Sequence, residues 1–391
     1  EQATTIKPHY TMYTEKELFE IISKFETATE AVSIKAMGPG FINDTLTVAT
    51  RPDASGKAAR YILQRKNHNV FPDVPGMMRN IAMVTEHLRK KVIAAGGDPD
   101  REVLKVIRRK PESMSAEEKA AQGGDLYYKD ARGNYWAVSL FIEGSVTYEK
   151  ADSPALAYKG GEGIGKFQSM LADFTQPLNE TIKGFHNIRW RFEQWDEALK
   201  KDAAGRVKEL AEEISWIESR KEEMLAFWSL VEDGTLPTRV THNDTKISNI
   251  LFDERGNVLC VIDLDTCMSS TSLNDFGDAI RSYTNTGAED DRDLGKVSMS
   301  MEMFRAYTEG YLSQRKGTLC AKEAEYLAFS AKYITFEQVL RFLMDYIDGD
   351  VYYKTAYPEH NLVRTRAQYK LLQSMEEQYG EMQKTVMELM K

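Results

Sequence analysis

Residues 241–252 read THNDTKISNILF. Asp244, Lys246 and Asn249 crowd into six residues, and the apolar run Ile250-Leu251-Phe252 follows at once. Such a run reads as a buried strand. Asp253-Glu254-Arg255-Gly256-Asn257 supplies turn residues, and Val258-Leu259-Cys260-Val261-Ile262 is a second apolar run that ends on Asp263. The stretch is therefore strand, turn, strand, with a carboxylate, an ammonium and an amide at its mouth and another carboxylate at its end. Two apolar strands hold the hairpin rigid, and the rigid hairpin holds the charges.

His242, Asp244 and Asn249 fit H-x-D-x-x-x-x-N, the catalytic-loop spacing of kinases. In that chemistry an Asp takes the proton of the attacking hydroxyl, which assigns Asp244 as base. An Asn five residues on and a carboxylate from the return strand bind Mg²⁺, which assigns Asn249 and Asp263. Lys246 offset charge on the transferring group. Phosphoryl transfer depends mostly on positioning and charge neutralisation, so these residue types suffice. Asp275-Phe276-Gly277 is a literal D-F-G, but no strand precedes it. Asp275 is expected instead to open the helix GDAIRSY, buried, and to brace the loop. Asp265 is either a second metal ligand or a solvent-facing group.

Upstream the pattern is that of a sheet. Thr14 and Glu17 form a T-x-x-E capping box before a helical run. Gly38-Pro39-Gly40 precedes FINDTLTVAT, RYILQR follows, and MMRNIAMVTEHLRKKV is an amphipathic helix. EVLKVIRR, DLYYKD and NYWAVSLFIEG read as further strands. Gly38 and Gly40, with Asn43 and Thr45 beyond them, would let the backbone approach phosphates. A kinase also needs a cation on the next strand and a Glu on the next helix. Period-2 alternation turns either Gln64 or Arg65 to the nucleotide; Arg65 is favoured for its charge, with Glu86 as its partner. Phe141-Ile142-Glu143-Gly144 is the expected linker, with Phe141 and Glu143 beside the adenine. Helical periodicity dominates from about residue 155, near 155–182, 204–233, 297–314, 322–348 and 362–389. The expected fold is α+β: a small antiparallel-sheet lobe over 1–144 and a larger helical lobe over 145–391.

The chain has 391 residues, a net charge of −9 and a pI near 5.4. This balance disfavours nucleic acid, which needs a basic footprint. No run is long and apolar enough to span a membrane. EQATTIKPHYT lacks the sections of a signal peptide, and the three cysteines read as free thiols in a reducing compartment. A cytoplasmic monomer or weak homodimer is expected.

Taken together, GFINDT (40–45), YILQRKNHNVF (61–71), FIEG (141–144), THNDTKISNILFD (241–253), VIDLDT (261–266), DFGDAIR (275–281) and RFLMDYIDGDVYYK (341–354) resemble the aminoglycoside phosphotransferase and choline kinase superfamily. Within it the chain looks most like the N-acetylhexosamine 1-kinases. The resemblance implies a bilobal kinase-like fold, ATP and Mg²⁺ as cofactors, and transfer of the γ-phosphoryl group to the anomeric hydroxyl of N-acetylglucosamine or N-acetylgalactosamine.

For the sugar, Glu337, Arg341, Asp345 and Asp348 recur at helical spacing in a mostly apolar helix. The resemblance favours Arg341 as a substrate contact, with Tyr352 as its partner. Asp345 is a third candidate, or a structural partner of Arg341. The alternatives are the same fold with another acceptor, such as choline, homoserine, methylthioribose or an aminoglycoside, or a nucleotide-binding pseudokinase.

Overall fold

The computed structural model describes residues 12–38 and 42–391. The chain divides into two compact units. The first comprises the described residues up to Val146 together with Leu259–Cys267; the second is Thr147–Val258 with Met268–Lys391. The return strand of the hairpin thus crosses from one unit to the other, where the sequence suggests a single cut after Gly144.

The first unit is built on an antiparallel sheet. Its strands are β1 (Ala31–Ala36), β2 (Asp44–Thr50), β3 (Arg60–Lys66), β4 (Val106–Ile107), β5 (Tyr128–Lys129) and β6 (Tyr135–Leu140), in the order β1-β2-β3-β6-β4, with β5 also on β6. Alternation sets the register. Leu46, Val48, Tyr61, Leu63, Trp136 and Val138 all point to one face and are buried there. Helix α1 (Glu15–Ile22) covers that face with Leu18, Ile21 and Ile22. Its capping box forms as expected: Glu17 N donates to Thr14 Oγ1 at 3.2 Å, and Thr14 N donates to Glu17 Oε2 at 2.7 Å. Helix α2 (Val74–Ala94) carries Asn80, whose amide donates to the Cys267 carbonyl at 3.2 Å.

Two expected strands are much shorter than they read. Of EVLKVIRR only Val106–Ile107 joins the sheet, with an isolated bridge from Arg109 to Phe25, and its first residue, Glu102, already closes the short helix α3 (Pro99–Glu102) that Asp98 caps. DLYYKD contributes only Tyr128–Lys129, after helix α4 (Ala116–Ala120).

The second unit is helical: α5 (Pro154–Met170), α6 (Ile188–Lys201), α7 (Ala211–Glu218), α8 (Lys221–Glu232), α9 (Leu273–Tyr283), α10 (Met301–Arg315), α11 (Ala321–Asp348), α12 (His360–Glu377) and α13 (Tyr379–Leu389). The helix expected to reach residue 182 stops at Met170. A separate one, α6, begins where the Asn187 side chain accepts from Trp190 N at 3.1 Å. The run 362–389 breaks at Gln378 into α12 and α13. The second unit also holds strands β7 (Arg239–Thr241) and β10 (Met268–Ser270), paired antiparallel, and β8 (Ile250–Phe252), the first strand of the hairpin whose return strand β9 (Val258–Val261) falls mostly in the first unit. The hairpin turn closes through Asp253, whose carboxylate accepts from Arg255 N and Asn257 N, both at 2.9 Å.

Close backbone contact fixes α9. A Cβ on Gly277 would lie 2.2 Å from the Ser330 carbonyl oxygen of α11, so only glycine permits this approach. The opening of α9 is thereby held in one place, and the catalytic-loop candidates depend on it. Among the described residues no helix is long and apolar enough to cross a membrane.

Candidate active site

The 242–249 segment follows β7, and its backbone is not left to water. The Asp275 carboxylate, fully buried in the first turn of α9, accepts from His242 N at 2.9 Å and from Asn243 N at 2.8 Å. Thr245 Oγ1 donates to the Asp275 carbonyl at 3.3 Å. Asp275 thus braces the loop. Its carboxylate turns to the loop instead of capping its own helix. Burial pushes its pKa up, opposed by His242 and the backbone donors. Gln168 of α5 supplies a further donor to Asp275 at 2.9 Å. The Gln168 carbonyl in turn accepts from Tyr311 Oη and from Arg315 Nε. A chain of buried polar groups therefore runs from α10 through α5 to the loop. Sequence reading missed Gln168, which is a lone polar residue inside a helix with no motif around it.

Within the loop, Asn243 takes a left-handed backbone with φ of 67°, a conformation that asparagine tolerates better than most residues. Asp244 follows, half-buried, with its N–H directed to His242 Nδ1 at 3.2 Å. Lys246 Nζ lies 3.3 Å from Asp244 Oδ2 and is half exposed. Asn249 Nδ2 donates to the Asp244 carbonyl at 2.8 Å. Asn249 thus spends its nitrogen on the loop and keeps its amide oxygen, the atom a hard cation takes.

In the first unit, Asp263 also adopts a left-handed backbone, φ 58° and ψ 64°, and is exposed. A non-glycine residue there is strained, and such strain gathers at functional sites. Asp265, two residues on, is buried. It accepts from Lys66 Nζ and from Asn43 Nδ2, at 2.8 and 2.6 Å. It is therefore not solvent-facing. The amide oxygen of Asn249 and the carboxylate of Asp263 are each, taken singly, donors of the kind magnesium takes.

The expected cation on β3 needs correction. Arg65 faces the core side with Tyr61 and Leu63. It pairs with Asp44 directly across the ladder, Nε to Oδ2 2.7 Å, and donates to Asn134 at 3.1 Å. Glu86 does not pair with Arg65; it meets Arg108 at 2.8 Å on the exposed side. The buried cation on the other face of β3 is Lys66. Period 2 places it with Gln64 on the opposite face from Arg65, where Lys66 Nζ also donates to Gln64 Oε1 at 2.8 Å. Gln64 in turn donates to Thr45 Oγ1 at 3.1 Å. The signal was present: the strand runs one residue beyond RYILQR.

Gly38 has φ of 63°; Gly40 lies outside the described residues. In the 141–144 linker, Phe141 N donates to the Arg60 carbonyl at 3.0 Å and the Arg60 guanidinium lies 4.0 Å from the Phe141 ring centroid. The Glu143 carboxylate binds Arg60 Nε at 2.7 Å, and its carbonyl accepts from Arg101 at 2.9 Å.

The sugar candidates lie at the end of α11. Asp345 is buried and fully engaged. It accepts from Val351 N, Tyr352 N and Tyr353 N at 2.8–3.0 Å and from Asn361 Nδ2 at 2.8 Å. Its carboxylate pins the loop after α11 and, among the described residues, makes no hydrogen bond to Arg341. The loop presents Tyr352, which is 68 % exposed. The Arg341 guanidinium lies 5.6 Å from the rings of both Tyr352 and Tyr353.

The model of the phosphotransferase enzyme family matches residues 33–297. That is more than half of the chain, and the chain belongs to this family. Among solved structures it resembles a microcompartment-associated aminopropanol kinase, at 16% identity over 94% of this chain and 98% of that one, with a TM-score of 0.59. It also resembles a spectinomycin phosphotransferase in complex with ADP and spectinomycin, at 12% identity, 94% and 99% coverage and a TM-score of 0.56. An ethanolamine kinase of Plasmodium vivax matches at 14% identity, 92% and 85% coverage and a TM-score of 0.52. At these identities the likeness is one of fold: an α+β chain with an antiparallel-sheet N-terminal region and a helical C-terminal region.

Proposed function

We propose that the protein is an ATP- and magnesium-dependent kinase that phosphorylates the anomeric hydroxyl of an N-acetylhexosamine. Asp244 accepts the hydroxyl proton. Lys246 and Lys66 neutralise phosphate charge, and Asn249 and Asp263 each supply an oxygen to magnesium. Gly38, Asn43 and Thr45 lie beside the phosphates, and the 141–144 linker meets the adenine.

The observation that carries the choice of acceptor is the exposed Tyr352 ring held beside the guanidinium of Arg341. Among the described residues the Arg341 guanidinium makes no hydrogen bond, so its donors are available for a ligand's oxygens. An aromatic face next to unspent donors suits a polyhydroxylated ring with an amide carbonyl. The same guanidinium repels an ammonium. That weighs against amino-alcohols, choline and aminoglycosides as acceptors.

The test is a panel of N-acetylglucosamine, N-acetylgalactosamine, glucose, choline, homoserine and kanamycin, with ATP and Mg²⁺. ADP release and phosphorus NMR identify the product, and Asp244→Asn is the control. An anomeric phosphate on an N-acetylhexosamine, absent from the control, supports the reading. Turnover confined to an amine overturns it.

A further inference from the structure

Arg341 is not alone. Glu337 precedes it by one helical turn on α11, so the two share a face, and Glu337 is 1% exposed. Its Oε2 lies 2.7 Å from His186 Nδ1, and its Oε1 lies 3.5 Å from Arg191 Nε. His186 takes a left-handed backbone, φ 57°, with its carbonyl accepting from Tyr333 Oη at 2.5 Å. Asn187 then starts α6, and Arg191 comes one turn later. Two separate elements thus converge on one carboxylate.

The polar groups here are not fully satisfied. His186 Nε2, Arg191 Nε and Glu337 Oε1 are buried without a hydrogen-bond partner. Arg191 spends one donor on Gln194 at 3.1 Å. Buried polar groups are nearly always paired in a complete site. Two guanidiniums also face a single carboxylate. Burial alone would raise the Glu337 carboxyl, but His186, Arg191 and Arg341 reverse that and hold it at about 2. The carboxylate is therefore charged whenever the enzyme works, and the cluster keeps an excess of positive charge.

We infer that Arg191 is a second acceptor contact beside Arg341, and that Glu337 is a positioning residue that aims both guanidiniums and sets the site to prefer a neutral sugar over an anionic one. This rests on the sugar-kinase reading above. The guanidinium pair donates to hydroxyl and amide oxygens of the acceptor. Glu337 offsets one of the two charges, so the site does not require a carboxylate or phosphate on the ligand.

The experiment compares wild type, Glu337→Gln and Arg191→Lys with N-acetylglucosamine and with N-acetylmuramic acid, the same sugar bearing a carboxylate. In Glu337→Gln, KM for N-acetylglucosamine should rise about 10-fold, with kcat and KM for ATP changing far less. The ratio of kcat/KM for the anionic sugar to that for the neutral one should rise by about 10-fold or more. Arg191→Lys keeps the charge but loses the planar fork, so it should raise KM for both sugars and leave their ratio unchanged. A merely structural Glu337 would lower both sugars in proportion, and that result overturns the inference. So does an Arg191→Lys enzyme with unaltered acceptor KM. A wild type that phosphorylates no N-acetylhexosamine fails the sugar-kinase reading itself, and that outcome is read before any variant is compared.

Discussion

Lys66 Nζ lies 2.8 Å from Asp265 Oδ1, and the two side chains are 5% and 6% exposed. Asn43 holds the second oxygen of the same carboxylate. An ion pair this deep does little for net stability, but breaking it leaves a buried charge without a partner. Lys66→Met should therefore cost roughly 3–5 kcal/mol of stability. It should also raise KM for ATP and lower kcat by about 10² or more, because a phosphate cation is lost. Arg65→Met tests the assignment. It breaks a comparably buried pair with Asp44 on the other face of β3, so it should lower the melting temperature while leaving kcat nearly intact. Steady-state kinetics alongside thermal denaturation separate the two. An Arg65→Met enzyme as inactive as Lys66→Met would return the nucleotide-facing role to Arg65.

Asp275 accepts two backbone N–H groups of the 242–249 segment and one from Gln168. Asp275→Asn keeps the shape but turns an N–H₂ towards donors, so the segment loses its anchor. It should lose about 10²-fold in kcat and several degrees of melting temperature. Gln168→Leu leaves Asp275 holding the backbone but removes the bond to Asp275 and the acceptor of Tyr311 Oη and Arg315 Nε, each at about 1–3 kcal/mol. Its kcat should fall much less. Equal losses in the two variants would mean that the chain from α10 through Gln168 matters as much as the carboxylate itself.

The sequence shows much of this site because its residues are local. The spacing of His242, Asp244 and Asn249, the turn at Asp253 and the strand ending at Asp263 all lie within one short stretch. The bracing role of Asp275 was legible for the same reason, since an Asp opening a helix just after that stretch has few other places to turn. Pairing across the fold was not legible. Glu86 sits at a fitting place on α2, yet the exposed Arg108 lies nearer and takes it. Asp345 reads as one of a stripe of charges, but its carboxylate is consumed by three backbone N–H groups of the following loop. His186 carries no periodic signal, because its left-handed backbone falls between helices.

The Glu337 carboxyl predicts an acid limb. Burial opposes its charge, but His186, Arg191 and Arg341 together bring the folded value to about 2, against an ordinary 4.5. Between those values the unfolded chain binds the proton and the folded one does not, so stability rises with pH across the window. The contribution is complete above about pH 4.5 and is lost as pH falls through about 2, on the order of 3 kcal/mol. Chemical denaturation at pH 2.5, 3.5, 4.5 and 6 should show this slope in wild type. Glu337→Gln should be less stable at pH 6 and should have a shallower acid limb. Parallel curves for the two proteins would mean that the carboxylate is not held ionised by its neighbours.

Asp263 sets stability against function. Its left-handed backbone is a conformation that a Cβ disfavours by about 1 kcal/mol and glycine adopts freely. Asp and Asn tolerate it better than Ala does, because their short polar side chains bond locally. With the side chain exposed, little packing is lost on substitution. Melting temperatures should therefore follow the order Ala below Asp and Asn, with Gly highest. Turnover should not follow that order. If Asp263 is a magnesium ligand, all three substitutions should lower kcat by about 10² or more, and Asn should partly recover at high Mg²⁺ because its amide keeps one oxygen. Gly would then be the most stable form and among the least active, the expected signature of strain kept at a working residue. Titration of each variant with Mg²⁺, read by ADP release, checks the second half; differential scanning calorimetry checks the first. An Asp263→Gly enzyme that keeps wild-type turnover and magnesium dependence would remove Asp263 from the metal site and leave Asp265 as the carboxylate to test next.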